Sequence, residues 1–313
     1  MAIDTETARL FLAGKQAGIK YGHMLMLGRQ NYLLRPSETR TLFQEFDLQP
    51  DSRLLTKSTI ATPPFAEPFF ESVGATRCES MDISTYEGAT IIHDSNEPVP
   101  VGLHEQFDLV FDGGTLEHVF HFPQALHNAM QMTRVGGWYA GFTPGNNWFG
   151  HGFYQFSPEV YYRALSAENG FSRCVVFAVP EGWGLKWYLV ADPAKLGTRT
   201  NLINGLRTPL LVLAHKTGPT PAKLRLQQSD YQGFWQGNVQ ALNTGKTRRE
   251  SRWAQSLKSA LYSNFPKLTR RLATLEARTW SGEYKIGRAT VFEPVARGSL
   301  VATLARLAGN VPF

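Results

Sequence analysis

Residues 107–137 read FDLVFDGGTLEHVFHFPQALHNAMQMTRVGG. The run Phe107–Phe111 is short, apolar and closed by Asp112 and the pair Gly113-Gly114, a pattern that predicts a buried strand ending in a tight turn. Ala125, Ala129 and Met132 recur at helical spacing over Pro123–Thr133, and Gly136-Gly137 ends that helix. Trp138–Thr143 then reads as another strand before the turn at Pro144-Gly145. A strand, a helix and a second strand packed this closely in sequence form one crossover unit of a parallel sheet.

The same alternation extends in both directions. Upstream, a helix is predicted over residues 6–20, a strand over His23–Leu27 closed by Gly28, and a helix over Thr39–Phe46 with Ser37 as its cap. The proline-rich stretch Pro50–Pro68 is mostly loop, followed by a short helix at Ala66–Val73. Strands Arg77–Met81 and Thr90–His93 follow, and Asp82 and Asp94 succeed them directly. Downstream, Ser157-Pro158-Glu159 opens a helix that stops at Asn169-Gly170. Strands Cys174–Val179 and Pro209–His215 complete the series. The expected fold class is α/β, a doubly wound and mostly parallel sheet.

After Gly218-Pro-Thr-Pro221 the chain changes character, which divides it into an α/β domain over 1–218 and a basic, mainly helical extension over 219–313. Within the extension, Ser251–Trp280 reads as an amphipathic helix carrying Trp253, Leu257 and Leu261, broken or kinked at Pro266. Such a stripe is expected to dock on the parent domain. From Gly245 onward the chain has thirteen Lys or Arg against four Asp or Glu, a charge of +9, whereas residues 1–244 carry −3. A basic tail of this kind suits an anionic surface or a nucleic acid, or is a solvated face.

With 42% hydrophobic and 19% charged residues among 313, the chain has enough apolar material for a large core, which excludes disorder and fibrous repeats. No apolar run approaches the roughly 18–20 residues of a membrane-spanning helix. The two cysteines, Cys78 and Cys174, exclude a disulfide framework and a cysteine-based zinc site. The first twenty residues lack the pattern of a secretory signal, so a reducing cytoplasm is the expected location. Oligomeric state and acceptor molecule are not written in the sequence.

In an open parallel sheet, ligands bind beyond the carboxyl ends of the strands. Three successive predicted strands end at Asp82, Asp94 and Asp112, so their carboxylates are expected to converge on that rim. A carboxylate there can accept two hydrogen bonds from a ribose diol, a second polar group can accept from an adenine amine, and Ile83 can lie on the base. The alternative is that each aspartate caps its own turn. The loop Pro144–Phe156, PGNNWFGHGFYQF, follows the next strand on the same rim. Asn146, Asn147, His151 and Tyr154 can hydrogen-bond a polyhydroxy or small aromatic substrate, with Trp148 and Phe153 as stacking faces, unless the loop is purely structural.

The FDLV strand, the LEHV segment, the helix and the GG turn together resemble the fourth-to-fifth-strand block of class I S-adenosylmethionine-dependent methyltransferases, of the type 11-like kind. Ser80-Met-Asp-Ile-Ser84 is similar to that family's acidic second-strand end, and Ile92-His-Asp-Ser-Asn96 to its third-strand end. The resemblance covers roughly residues 20–216. It implies a Rossmann-like fold, S-adenosylmethionine as cofactor, and a cofactor site made of Gly28, Arg29, Gln30, Asp82, Ile83, Asp94, Ser95, Asp112 and Gly113. One departure stands out: the family's glycine-rich first loop is reduced here to Gly28, Met26 occupies the acidic position, and Arg29 and Gln30 replace small residues. Either Arg29 or Gln30 recognises the methionine carboxylate, or the cofactor site has decayed.

The resemblance also puts Glu117 and His118 beside the activated methyl, with His118 as a general base. His121 and His127 do not form an H-E-x-x-H motif, and no metal is assigned. The implied activity is methyl transfer to an oxygen or nitrogen of a small-molecule or carbohydrate-like acceptor. A catalytically silent scaffold of the same fold is the second reading, and an RNA-directed enzyme using its basic tail the third.

Overall fold

The computed structural model describes residues 2–56, 63–182, 186–197, 199–202, 204–235 and 291–309. At the amino end, Asp4 accepts a hydrogen bond from the Thr7 amide at 2.8 Å and so caps helix α1 (Thr5–Gln16). Strand β1 (Ala2–Ile3) pairs with β3 (Asn31–Tyr32) in a small parallel ribbon. Between them in sequence runs β2 (Gly22–Leu27), a strand of the main sheet. Helix α2 (Pro36–Gln44) starts earlier than its sequence pattern predicts. Pro36 takes the first helical position, and the Glu38 carboxylate accepts from the Arg35 amide at 2.9 Å, so Ser37 lies inside the first turn rather than capping it.

Helix α3 (Glu67–Val73), β4 (Ala75–Asp82), β5 (Ile91–Ile92), β6 (Phe107–Asp112), α4 (Phe122–Met132) and β7 (Thr133–Asn146) follow. Then come α5 (Pro158–Ala164), β8 (Phe171–Ala178), β9 (Trp187–Val190), α6 (Pro193–Leu196), β10 (Thr208–Lys216) and α7 (Ser229–Trp235). Strand β11 (Phe292–Val295) and helix α8 (Leu300–Ala308) are the last described elements.

The main sheet has the order β11-β9-β8-β10-β7-β6-β2-β4-β5. From β5 to β7 every pairing is parallel. Strand β10 is inserted antiparallel between β7 and β8, and β9 is antiparallel to β8, so these two alone oppose the direction of the others in this sheet.

Strand alternation splits the core into two layers. Met24 and Met26 of β2, with Leu109 and Phe111 of β6, meet Leu10 and Phe11 of α1 and Phe69 and Phe70 of α3. Leu25, Leu27 and Val110 meet Ala125, Leu126 and Ala129 of α4 and Tyr161 of α5 on the opposite face. Phe11 is the hub of the first layer. Its ring makes edge-on contacts with Tyr21, Phe69, Phe70 and Phe111 at centroid distances of 5.5, 6.3, 5.1 and 5.0 Å.

The boundary expected at residue 218 does not mark the end of the sheet. Strand β11 pairs antiparallel with β9, and Leu300, Leu304 and Leu307 of α8 join the same apolar cluster as α1. Arg173 of β8 donates to the Leu307 carbonyl at 2.7 Å. The amphipathic helix expected over 251–280, with most of the basic tail, lies outside the described residues. Among the described residues no helix is long and apolar enough to cross a membrane.

Candidate functional site

The chain leaves β2 toward β4 and β5, then returns to lay β6 and β7 on the other side of β2. Strand order therefore reverses between β2 and β6, the place where doubly wound sheets bind ligands beyond the carboxyl ends. The strand ends are level there: Leu27 lies opposite both Met81 and Asp112, and Asp82 lies opposite Ile92. The Gly28 amide donates to the Met81 carbonyl at 2.8 Å, and the Thr115 hydroxyl donates to the Leu27 carbonyl at 2.6 Å. These bonds tie the turns after β2, β4 and β6 into one rim.

On the β4–β5 side the expected groups are accessible. Asp82 accepts only a long 3.3 Å bond from the Ser84 amide among those recorded for its carboxylate, and Ile83 beside it is 65% exposed. Asp94 accepts from the amide and side chain of Asn96 at 2.9 and 2.8 Å, which hold its carboxyl below the usual range. Ser95 contributes its carbonyl to the Asn128 side chain at 3.2 Å.

Between β2 and β6 three expected side chains are committed elsewhere. Arg29 stacks on Phe65 with 3.7 Å from its guanidinium to the ring centroid. It also donates to the Glu67 carboxylate at 2.7 Å and to the Glu87 carbonyl at 2.8 Å, so the carboxylate it recognises is the protein's own. Gln30 is fully buried and donates to the carbonyls of Leu27 and Gly28 at 2.9 and 3.1 Å. Its amide lies so close to Gly113 that a Cβ there would overlap it, which explains the glycine at the end of β6.

Asp112 corrects the expectation of three converging carboxylates. It is completely buried, and one oxygen accepts from the amides of Thr115 and Leu116 at 2.8 and 3.3 Å. It caps the turn after β6, and burial pushes its pKa up. The strand ends converge, but this carboxylate turns inward.

Beyond that turn the structure assembles a cluster that the sequence reading did not. A single 3₁₀ turn, Leu116–His118, buries Glu117 to 1% exposure while leaving the His118 side chain 46% exposed. The loop after β7 folds back over this turn, and the Phe153 amide donates to the Glu117 carbonyl at 2.7 Å. Gly152 permits that approach, since a Cβ on it would lie 2.6 Å from the Glu117 carbonyl oxygen. His151 is thereby brought to the Glu117 carboxylate, with His151 Nε2 at 3.5 Å and His118 Nε2 at 3.9 Å from the same oxygen, Oε1.

The two imidazole rings are 5.1 Å apart, and Trp148 supports the ring of His151 edge-on at 4.8 Å. The second carboxylate oxygen, Oε2, is buried without a hydrogen-bond partner. Burial, and next the Asp112 carboxylate, raise the Glu117 pKa. Partial burial lowers both histidines, His118 also through the neighbouring His151. Both shifts favour the neutral imidazole.

The other residues expected in the acceptor loop shape it rather than face outward. Asn146 donates to the Asn204 side chain at 3.0 Å. Asn147, with φ +59°, donates to the carbonyls of Asn204 and Leu206 at 2.8 and 2.7 Å. The Tyr154 hydroxyl donates to the Phe120 carbonyl at 2.6 Å, and its ring packs on Phe122 and Phe156. The His151 side chain stays 44% exposed, and Phe120, Phe149 and Phe153 nearby in the chain are 73, 99 and 67% exposed. A separate cavity of about 240 Å³ opens behind Asn146, between Gln155, Thr200, Thr208 and Leu210.

No family model and no curated protein matches the chain. Among solved structures it is similar to the YcgJ protein of Bacillus subtilis, with 10% identity and a TM-score of 0.34, covering 67% of this chain and 98% of that one. It is also similar to the N-methyltransferase NodS of Bradyrhizobium japonicum, with 13% identity and a TM-score of 0.35 over 68% and 95% of the two chains. A possible histamine N-methyltransferase of Thermotoga maritima has 14% identity and a TM-score of 0.29 over 66% and 89%. Those likenesses are distant, and the strand order is what decides the fold: five parallel strands with reversal beside the first of them, then an antiparallel strand inserted before the next. The chain has a Rossmann-like, doubly wound α/β fold with a mixed sheet.

Proposed function

We propose that the protein transfers a methyl group from S-adenosylmethionine to an oxygen or nitrogen of a small or carbohydrate-like acceptor. The observation that carries this reading is the placing of two unlike sets of groups on either side of the switch point. On one side Asp82, Ile83 and Asp94 offer an open carboxylate, an exposed apolar surface and a second acceptor, the set that a ribose diol and an adenine ring require. On the other side Glu117 and His118 stand where the nucleophile would enter, with the His118 imidazole as the proton-accepting group. The cofactor, when bound, supplies a methyl carbon activated by a sulfonium. This chain aligns the acceptor with it, and a neutral His118 accepts the acceptor's proton.

A second reading, a silent scaffold, draws support from one specific observation. The groups that replace the glycine-rich loop are occupied, Arg29 by Glu67 and Phe65, and Gln30 by the carbonyls of the β2 turn. Binding of a methionine carboxylate by Arg29 would require Arg29 to leave Glu67.

Calorimetric titration with S-adenosylmethionine and S-adenosylhomocysteine separates the two readings. The enzyme reading expects saturable heat with both, and an Asp82→Ala loss of about 1.5–3 kcal/mol in affinity for the charge-assisted bonds removed. No heat at millimolar ligand leaves the scaffold; unchanged affinity in Asp82→Ala would put the ribose elsewhere.

A further inference from the structure

Glu117, His118 and His151 form a group whose candidate ligand atoms all lie within 4.8 Å of one another. At metal–ligand bonds of about 2.0–2.2 Å, neighbouring donors of a tetrahedral or octahedral ion stand roughly 3.0–3.5 Å apart. The spacings of 3.5 and 3.9 Å from the Glu117 oxygen to the two histidines need only small side-chain rotations to reach that range. The carboxylate is the fixed member: it is 1% exposed, and its second oxygen is buried with no hydrogen-bond partner, a costly arrangement unless something else satisfies it. The histidines are the adjustable members, with side chains 46 and 44% exposed.

The backbone is also built for the cluster. Gly152 and the Phe153–Glu117 bond press the His151 loop onto the Glu117 turn, joining residues that no local motif links. Two imidazoles and one carboxylate are a donor set for first-row divalent transition ions, with borderline nitrogen donors that magnesium and calcium do not favour. Three protein ligands leave further positions open to water or substrate, as in catalytic rather than structural sites.

We propose that Glu117, His118 and His151 bind one divalent transition-metal ion, whose open positions take two adjacent oxygens of a polyhydroxylated acceptor. The acceptor half rests on the methyl-transfer reading and alters it in one respect: His118 then holds the ion instead of accepting a proton. The metal half stands on the cluster alone.

The test is a titration of the full chain, freed of metal by chelation, with Co²⁺ followed by its visible absorption and with Zn²⁺ followed by calorimetry. One equivalent of each is expected, with Mg²⁺ at least tenfold weaker. His151→Ala and His118→Ala, both changes at exposed positions, are each expected to weaken Co²⁺ at least tenfold and to alter its spectrum. No saturable binding overturns the site, and so does affinity unchanged in both variants, which would mean adventitious metal on other histidines. A parallel titration with S-adenosylhomocysteine keeps the two readings apart. Metal bound without it retains the site but removes the acceptor half, whereas cofactor bound without metal overturns the site and leaves methyl transfer standing.

Discussion

Phe11→Ala is expected to cost about 3–5 kcal/mol of folding stability, the range for deleting a fully buried aromatic ring. Phe11 touches four other aromatic rings, two of them on α3, one on β6 and one at the start of β2. Those neighbours belong to the sheet and to α3, which hold each other in place, so the space left cannot collapse cheaply. The measurement is a denaturant melt. A lower midpoint at unchanged slope is expected, with Phe11→Leu losing clearly less. A loss below about 1 kcal/mol would mean that α1 is not packed on the sheet as described.

Gly152→Val is expected to have the largest effect at the candidate site. A side chain there would begin 2.6 Å from the Glu117 carbonyl oxygen and 3.1 Å from its Cγ. The carbonyl belongs to the rigid turn after β6, so the loop must retreat, which breaks the Phe153–Glu117 bond and carries His151 away. Overpacking of this kind costs about 1–3 kcal/mol. Co²⁺ affinity should fall at least tenfold, as far as in His151→Ala, while far-ultraviolet circular dichroism stays native. Co²⁺ affinity retained by Gly152→Val would show that the loop does not set the position of His151.

The crossover unit at 107–146 was readable because its strand and helix signals are local, although the helix ends at Met132 and the pair Gly136-Gly137 lies inside β7 instead of separating the two. So was the alternation that yields a doubly wound sheet, since Met24 to Leu27, Leu109 to Phe111 and Leu210 to Ala214 are continuous apolar runs buried on both faces. Other features depended on distant partners. Trp187–Val190 and Phe292–Val295 become strands because they lie against β8 and each other, across a long span of chain.

The site divides in the same way. Asp82, Asp94 and Glu117 were found as strand-end or post-strand acids, but which way each would point was not legible. Asp112 turns onto Thr115 and Leu116, and Arg29 finds Glu67 only because α3 packs beside the β2 turn. The pairing of His151 with Glu117 has a faint local trace, the glycine after the histidine, whose meaning depends on which backbone it must approach.

The return of β11 and α8 to the far edge of the sheet and to α1 has a consequence for synthesis. As the chain leaves the ribosome, residues 2–235 emerge with the outer edge of β9 unpaired and with apolar surface of α1 uncovered where α8 later settles. Bare edges and naked leucine-rich surfaces invite wrong partners. Among the described residues it is 291–309 that cover this edge and this surface, which makes the segment a late-arriving clasp and its loss a route to aggregation.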